Sequence, residues 1–569
     1  MPIPGVTDSV CFGRAELLDR LLRRAVGLTA GYRQNLALLG PPGIGKSTIL
    51  QRAADLLKRH PPLLPVVLHV REGSTMAEFV EQFGSTLLHR YWTDQRPADA
   101  IGRETPQTFE ALARLCQPYL PKTTALLAQA QARARRGRTA ALTALFEAPG
   151  QLRRESGRLC VILLDEFHRL SAWGAGSSYA ALSRQVVVQQ DTMYILASSA
   201  VAEARKILQE RLAVLFGHFE IIPVEPFDLA TSVRFLTEQA GLQGLGLPTA
   251  IALADVAEGD PSVLDQMAQA LPAGGQATAD DIVPALTTLL FRPTGALAIA
   301  CRTLLDRLPA ARRPMVLPVL LAVAQGHHRI GAIAVATGRT AADVTRAVRT
   351  LAEHELVVRR GVFCCVSRRL FRLWLEAVYR LQQSPVHVEL PVAEQAFAEH
   401  VRRWLQQATA RAPQQVLETA AEMIRRFQND LVDLHGRRVR LPKLDVHTLL
   451  MPGAPRAVVG QRDEIRWLCV PYPTLVREAD AVALLQALRH AAKPWTRRLV
   501  IALEGLEVNA KLLLQAHRCW VWELEDLNQL LDLYGVPRLL PRALQSLATV
   551  SAVPERPEEL LPMPREASA

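Results

Sequence analysis

The stretch Gly40-Pro41-Pro42-Gly43-Ile44-Gly45-Lys46-Ser47 decides how the amino-terminal part of this chain folds. It follows the apolar residues 36–39 and precedes Thr48 and a helical pattern. Its glycines let backbone N–H groups turn inward around a triphosphate, Lys46 adds a positive charge for the phosphates, and the Ser47 hydroxyl suits Mg²⁺. The stretch therefore predicts a phosphate-binding loop between a strand and a helix. An ordinary Gly/Pro turn is the alternative.

A second apolar run, residues 159–164, ends in the acidic pair Asp165-Glu166. Acidic side chains at the carboxyl end of a buried parallel strand lie where a bound nucleotide collects. Asp165 then suits the Mg²⁺ shell, and Glu166 suits the polarisation of an attacking water. Either motif separately also fits a turn with no ligand. Together, and in this order, they favour a nucleotide site.

Further strand-like runs at residues 64–70, 193–199 and 219–224 alternate with helical patterns. This alternation predicts an α/β fold with a parallel, doubly wound sheet. The second of these runs ends in Ser198 and Ser199, where a hydroxyl can bond the attacking water or the γ-phosphate. A serine-rich turn without such a role fits equally well.

Composition narrows the class of protein and its partners. The chain has 569 residues and a net charge of +11, which predicts three or four domains and favours contact with a polyanion such as nucleic acid. A positive surface also serves solubility. No uninterrupted apolar run approaches the roughly 18 to 20 residues that span a bilayer, and no secretory signal is visible, so we expect a cytoplasmic protein. The eight cysteines are scattered without metal-site spacing.

The remaining pattern predicts five regions in the chain. They are a nucleotide-binding core (1–225), a helical lid and linker (226–312), a winged helix-turn-helix (313–385), a second α/β domain (386–550) and a disordered tail (551–569). The third region has two short helices joined by a Gly-containing turn and followed by a hairpin. Its predicted DNA contacts are Arg339, Thr345, Arg346, Arg349, Arg359 and Arg360. Winged helices also dock proteins, so that role stays open.

The order of these features resembles the archaeal-type ATPases of the AAA+/STAND group over about residues 10–385. The resemblance is carried by Phe12-Gly13-Arg14-Ala15-Glu16-Leu17, the loop, the acidic pair, and residues 219–227 followed by the winged helix. It implies an ATP-driven switch with Mg²⁺, in which Ser47 and Asp165 hold the metal ion. The residues that it implies for nucleotide binding are Gly40, Pro41, Pro42, Gly43, Ile44, Gly45, Lys46, Ser47, Thr48 and Pro261.

The resemblance also implies catalytic roles. Glu166 activates water, Ser198 or Ser199 senses the γ-phosphate, and the proline of Gly259-Asp260-Pro261 reports nucleotide state. Relatives commonly carry a Gly-Arg pair before the last strand, whereas Gly217 is followed by His218 here. The arginine that stabilises transition-state charge is then Arg211 or Arg205, is supplied by another copy in an oligomer, or is absent. Slow hydrolysis follows from the last case.

The carboxyl-terminal domain looks like the restriction-endonuclease-like domain that often follows in this family. A nuclease site of this kind needs an acidic residue on one strand and Glu-x-Lys on the next. Asp445 fits the first position, but the next predicted strand has Cys469-Val470-Pro471. This triplet supplies neither a hard oxygen ligand nor an ammonium. The sequence therefore predicts a domain without nuclease activity that binds nucleic acid or a partner.

Two function classes remain. One is an ATP-hydrolysing switch that associates with DNA through the winged helix. The other is a nucleotide-dependent scaffold or sensor that binds an unidentified protein without DNA contact. A helicase motor is disfavoured, because we find no further helicase-type strand motifs.

Overall fold

The computed structural model describes residues 11–94, 108–211, 219–272, 277–380, 389–409, 416–434, 437–449, 455–489, 494–536, 538–540 and 544. Contacts divide the chain into two compact units. The first comprises residues 1–227 and 260–262, and the second comprises residues 228–259 and 263–569. The predicted tail lies outside the described residues.

A parallel sheet forms the centre of the first unit, as the alternating pattern predicts. Its five strands within the described ranges are ordered β2-β3-β4-β1-β5, and every neighbouring pair is parallel. The predicted P-loop NTPase α/β fold is therefore confirmed. The strands are β1 Asn35–Leu39, β2 Leu63–His69, β3 Leu159–Asp165, β4 Thr192–Ser198 and β5 Phe219–Pro223.

Helices cover both faces of this sheet, because successive strand side chains point to opposite faces. Leu36 and Leu38 pack in one core with α1 and α2, whereas Ala37 and Leu39 pack in the other with α3 to α7. The helices are α1 Ala15–Gly27, α2 Lys46–Leu57, α3 Met76–Asp94, α4 Phe109–Cys116, α5 Pro121–Arg135, α6 Ala140–Ser156, α7 Ala175–Val188 and α8 Val201–Lys206.

The helices predicted for the lid and for the winged helix lie in the second unit, except that Pro261 and Ser262, which begin one of them, belong to the first. The helices of the predicted lid, linker and winged helix are α9 Leu229–Arg234, α10 Leu247–Ala257, α11 Pro261–Gln269, α12 Ile282–Leu286, α13 Ala296–Asp306, α14 Arg313–Ala324, α15 Ile330–Thr337, α16 Ala341–Glu353 and α17 Arg369–Trp374. The hairpin strands β6 Val357–Arg360 and β7 Phe363–Val366 lie between α16 and α17 in the chain.

A mixed five-stranded sheet lies in the carboxyl-terminal part of the described chain. Its order is β10-β11-β12-β13-β14, with antiparallel pairs along β10-β11-β12 and parallel pairs along β12-β13-β14. A separate hairpin, β8-β9, precedes it. The strands are β8 Asp430–Leu434, β9 Arg437–Leu441, β10 Asp445–Leu449, β11 Ala457–Arg462, β12 Ile465–Tyr472, β13 Arg497–Ala502 and β14 Trp520–Glu523.

The helices associated with this sheet follow the crossover rule for parallel strands. The connections from β12 to β13 and from β13 to β14 each contain a helix, as parallel neighbours require. The helices are α18 Leu390–Thr409, α19 Val416–Arg425, α20 Glu478–Arg489, α21 Val508–Ala516 and α22 Leu524–Leu533.

The turn of the β6-β7 hairpin packs against β8 within the second unit. Gly361 has φ +67°, and a Cβ there would lie 1.9 Å from the carbonyl oxygen of Leu431. The Gly361 N–H donates to Asp433 Oδ2 at 3.0 Å, and the Val362 N–H donates to Leu431 O at 2.9 Å. Phe363 joins the same core as the carboxyl-terminal sheet. The tip of the hairpin is therefore a packed contact, and glycine is required there.

One stretch in the described part of the chain, Ile282–Asp306, is long and apolar enough to cross a membrane by length and composition. Its mean hydropathy reaches 1.5 over an 18-residue window, and 61% of that window is buried in the fold. Arg292 and Pro293 interrupt the stretch, so it is not one continuous apolar run. Core helices of soluble proteins can be equally long and apolar.

Candidate nucleotide site

The phosphate-binding loop connects β1 to α2, and α2 begins at Lys46. Gly43 and Gly45 have φ of +82° and +92°, in the left-handed region that side chains rarely adopt. These two glycines turn the backbone so that the chain enters a helix N-terminus, where unpaired N–H groups and the helix dipole attract anions. Ile44 is buried in the adjacent core and anchors the loop, while Thr48 is exposed on α2.

Lys46 is a buried cation inside this loop, with only 4% of its surface exposed. Its Nζ donates to the carbonyl oxygens of Gly40 and Pro41, each at 2.8 Å. Burial lowers the pKa of Lys46, and the nearby carboxylates of Glu166 and Asp165 partly offset this effect. A charged group held by carbonyl oxygens alone is suited to exchange one of them for a phosphate oxygen.

Asp165 is the last residue of β3 and lies directly beside the loop. Ser47 Oγ donates to Asp165 Oδ2 at 2.6 Å, and His69 Nδ1 lies 3.2 Å from the same oxygen. A hydroxyl and a carboxylate are the hard oxygen ligands that Mg²⁺ prefers, with phosphate oxygens and water completing its shell. No group of three His, Cys, Asp or Glu with metal-binding geometry occurs in the described residues. The paired oxygens fit Mg²⁺ bound together with a nucleotide.

Glu166 follows at φ +53°, a left-handed conformation that is uncommon for glutamate. Its Oε2 accepts from the Ser199 N–H at 3.0 Å and from Ser199 Oγ at 2.8 Å. His168 Nδ1 lies 3.3 Å from that oxygen and 2.9 Å from the buried Ser198 Oγ. The ends of β3 and β4 thus bring Glu166, Ser198 and Ser199 together.

Like His69 beside Asp165, His168 is a residue at this site that sequence reasoning missed. It lies two positions after Glu166, and this short spacing was the only signal for it in the sequence. Burial lowers the pKa of His168, and the Glu166 carboxylate partly offsets the effect. A neutral imidazole at neutral pH can link the Ser198 hydroxyl to the Glu166 carboxylate without adding a second positive charge beside Lys46.

The segment that carries Pro261 clusters with this first unit. A Cβ on Gly43 would lie 2.7 Å from Ser262 Oγ and 3.2 Å from Asp260 Oδ1. Asp260 Oδ1 in turn accepts from the Ser262 N–H at 3.0 Å. The predicted reporter segment therefore lies against the phosphate-binding loop, and Gly43 is needed for that close approach.

The arginine that stabilises the transition state stays a prediction. Arg211 ends the π-helical turn Ile207–Arg211, and its side chain lies outside the described residues. Gly217 and His218 also lie outside them. Arg205 is exposed on α8.

The basic residues predicted on the winged helix differ in how they are held. Arg339 donates to the carbonyl oxygens of Met315 and Pro314, and Arg346 pairs with Asp343. Arg349 is exposed. The other predicted contact on α16, Thr345, donates its hydroxyl to Ala341 O at 2.7 Å.

The hairpin arginines are constrained by the packed turn. Arg360 is half-buried and donates to Gln529, while Arg359 is exposed and donates to Gly361 O at 3.1 Å. Because the turn packs against β8, the hairpin presents at most Arg359 to a polyanion.

The carboxyl-terminal sheet corrects one sequence prediction. The strand after Asp445 in both chain and sheet is β11, which the sequence reading omitted, and Cys469 lies one strand further on β12. Asp445 is opposite Gln461 in the ladder. The omitted strand carries Gln461, an amide oxygen opposite Asp445, and Arg462, but it has no Glu-x-Lys. The absence of nuclease activity therefore stays a prediction.

Comparisons with known proteins agree with the first unit. Residues 10–196 match the family model of the AAA ATPase domain. Together with the loop and the acidic pair, this match identifies an ATPase domain in the chain. The comparison with curated protein sequences gave no match.

Several solved structures are similar to this chain at low identity. The Walker-type ATPase PABY2304 of Pyrococcus abyssi is 18% identical, with 66% of this chain and 98% of that chain covered and a TM-score of 0.44. The Orc2 protein of Aeropyrum pernix is 14% identical, with 70% and 95% covered and a TM-score of 0.40. RuvB of Thermotoga maritima is 15% identical, with 65% and 95% covered and a TM-score of 0.31. Similarities of this size carry no functional argument.

Proposed function

We propose that this protein is a cytoplasmic molecular switch that binds MgATP at the β1-α2 loop, hydrolyses it, and associates with DNA. The observation that carries the proposal is the contact of Ser47 with Asp165 beside the buried Lys46. These three side chains come from two sequence motifs more than a hundred residues apart. Their convergence at the carboxyl ends of parallel strands matches what MgATP requires.

Glu166 is the residue that we assign to activation of the attacking water. Mg²⁺, when bound, would offset phosphate charge, while Lys46 orients the triphosphate. The Ser199 N–H and hydroxyl hold the Glu166 carboxylate, and Ser198 reaches it through His168. These hydrogen bonds fix a carboxylate that must accept a proton during hydrolysis.

The test of this role is Glu166→Gln in the full-length protein. We expect MgATP affinity within about threefold of wild type and phosphate release at least about 100-fold slower, since general base catalysis contributes about 10²- to 10⁴-fold. Glu72→Gln is the matched control, because Glu72 is exposed and pairs with Arg169 on the same unit. Equal turnover in wild type and Glu166→Gln would contradict the assignment.

DNA association through the winged helix is supported by the order of its elements and by the exposed Arg349 on α16. Phosphate contacts make log affinity fall linearly with log salt concentration. We expect Arg346→Gln combined with Arg349→Gln to weaken binding of a labelled duplex and to reduce that slope. Arg312→Gln, an exposed arginine just before α14, is the control.

A scaffold or sensor that binds a protein partner is the second candidate. The packed hairpin turn favours it, because Gly361 and Val362 contact β8 and are not available to DNA. Absence of salt-dependent binding to DNA, together with retained MgATP binding, would select this candidate. Self-association through the ATPase domain belongs to either function, since it offers a route for an arginine from a second copy. Analytical ultracentrifugation with and without MgATP measures it.

A further inference from the structure

We infer that the end of the carboxyl-terminal sheet formed by β11, β12, β13 and β14 is a binding site for the phosphate backbone of double-stranded DNA. The inference deepens the proposed DNA association and moves its main contact from the winged helix to this sheet end. The basic residues at this end are Arg462, Arg466, Arg497, Arg498 and Arg518. We call this set the arginine end.

Strand register places these residues at one end of the sheet, with Arg462 and Arg497 on one face and Arg466 and Arg498 on the other. Arg462 ends β11 opposite Ile465, which begins β12, so Arg462 and Arg466 share one end of the sheet. Trp467 is opposite Arg497 in the parallel pair of β12 and β13. Arg518 precedes β14, which runs parallel to β13. Four neighbouring strands span about 14 Å, since adjacent strands lie about 4.8 Å apart.

The arginine end is not neutralised by the fold. In the described part of the chain, none of its five guanidinium groups forms an ion pair or a hydrogen bond with another residue. Arg329, Arg369 and Arg538 in the same unit, by contrast, all pair with carboxylates. The acidic residues nearest in sequence are Asp463 and Glu464 in the exposed β11-β12 turn. The arginines therefore outnumber the local carboxylates.

Two of the arginines are oriented by tryptophans. The guanidinium of Arg466 lies 4.4 Å from the ring centre of Trp495, and that of Arg497 lies 4.3 Å from the ring centre of Trp520. Cation–π contacts restrict a flexible side chain, so its planar fork loses less freedom when it binds a phosphate. Arg466 Nε and Nη1 and Trp495 Nε1 are buried without an acceptor among the described residues. A phosphate oxygen is an acceptor of matching charge.

The tryptophans also indicate a duplex ligand. Arg497 and Trp467 both pack on Trp520, and Arg466 covers Trp495. Single-stranded nucleic acid is usually held by bases stacked on open aromatic faces. Because these rings are occupied by guanidinium groups, the surface offers charge and forks to a sugar–phosphate backbone. A span of about 14 Å matches about four phosphates along one strand at a rise of about 3.4 Å.

The experiment is fluorescence anisotropy of the full-length protein with a labelled 20-base-pair duplex between 50 and 200 mM NaCl. With three phosphate contacts we expect affinity to fall about 40-fold over this range, because the slope is about −0.9 per contact. Arg466→Gln with Arg497→Gln should weaken binding at 100 mM at least about tenfold and lower the slope by about two. Arg477→Gln, an exposed arginine at the opposite end of the sheet, is the control.

The outcomes separate this inference from the winged-helix proposal. Loss of binding in the double variant of the arginine end, with little change in Arg346→Gln/Arg349→Gln, supports the inference. Loss only in the α16 variant overturns it and supports the winged helix. If wild type binds no duplex, both are overturned while ATP hydrolysis stands. Thermal melting and MgATP binding of each variant, unchanged from wild type, show that the loss is not unfolding, and Arg497→Lys should recover only part of the affinity.

Discussion

The two five-stranded sheets place their charged groups in opposite ways. In the first sheet, Lys46 and Asp165 lie at the carboxyl ends of parallel strands, are almost fully buried, and are paired with carbonyl or hydroxyl oxygens. In the second sheet, the arginine end lies at the amino ends of β12 to β14, where the side chains are exposed or half-buried and form no ion pair with another described residue. Buried, paired charges suit one compact ligand such as a nucleotide. Exposed, unpaired charges suit an extended polyanion.

We expect the largest effect from a substitution at the buried charges of the first sheet. Lys46→Ala removes the buried ammonium that we assign to the phosphates, and losing one partner of a buried, hydrogen-bonded charge pair costs a complex about 2 to 5 kcal/mol. We expect MgATP affinity to fall at least about 100-fold, measured by titration calorimetry. Lys58→Ala is the control, since Lys58 is an exposed lysine at the end of the same helix. A fall of less than about fivefold would contradict the assignment of Lys46.

The next largest effect should be the difference in salt dependence between MgATP binding at the first sheet and DNA binding at the second. MgATP binding at the first sheet should change by less than about threefold between 50 and 200 mM NaCl, because buried pairs are weakly screened. Binding of duplex DNA should fall about 40-fold over the same range. Both affinities are measured on one preparation. Equal salt dependence of the two ligands would remove the distinction between a buried and an exposed charge set.

Ser199→Ala sharpens the account of the buried site. It removes the hydroxyl that donates to Glu166 at 2.8 Å but leaves the backbone N–H in place. A hydrogen bond to a charged group contributes about 1.5 kcal/mol, so we expect ATP turnover about tenfold slower with unchanged MgATP affinity. Ser177→Ala, an exposed serine on α7, is the control. Faster turnover would show that Ser199 restrains Glu166 and does not position it.

The smallest effect is a pH dependence that arises from burial. The pKa of His168 is lowered chiefly by burial, partly offset by Glu166 and Glu203, while Arg169 and Lys46 lower it further. As pH falls, the His168 imidazole therefore binds a proton at a higher pH in the unfolded chain than in the folded protein. The free energy of unfolding is unaffected by this group above about pH 6.5 and falls below that pH, by at most about 1.4 kcal/mol per pH unit.

His168→Gln should flatten this acid limb, as measured by urea unfolding of the full chain between pH 5 and 7.5. His517→Gln, at an exposed position in the second unit, should leave it unchanged. An identical acid limb in wild type and His168→Gln would show that the buried imidazole does not titrate in this range.

Much of the first sheet could be predicted from sequence. Each strand observed there begins and ends within one residue of the predicted run. Parallel strands that are buried on both faces appear in the sequence as continuous apolar runs. The loop, Asp165 and Glu166 were found for the same reason: each follows such a run directly. The sequence analysis missed the separate β8-β9 hairpin, and it missed β11, with four buried and two exposed residues, in the second sheet. Its pairing depends on register, which short alternating strands specify weakly.

The sequence by itself determined the nucleotide chemistry of this protein, because a phosphate-binding loop and an acidic strand end are local patterns with fixed spacing to their strands. Only the tertiary structure decided which side chains hold Glu166 and that the β6-β7 turn packs against β8. It also decided that the five arginines of the arginine end lie at the same end of the second sheet. These relations mostly join residues tens of positions apart. Such distances are set by sheet register and core packing, which no local pattern encodes.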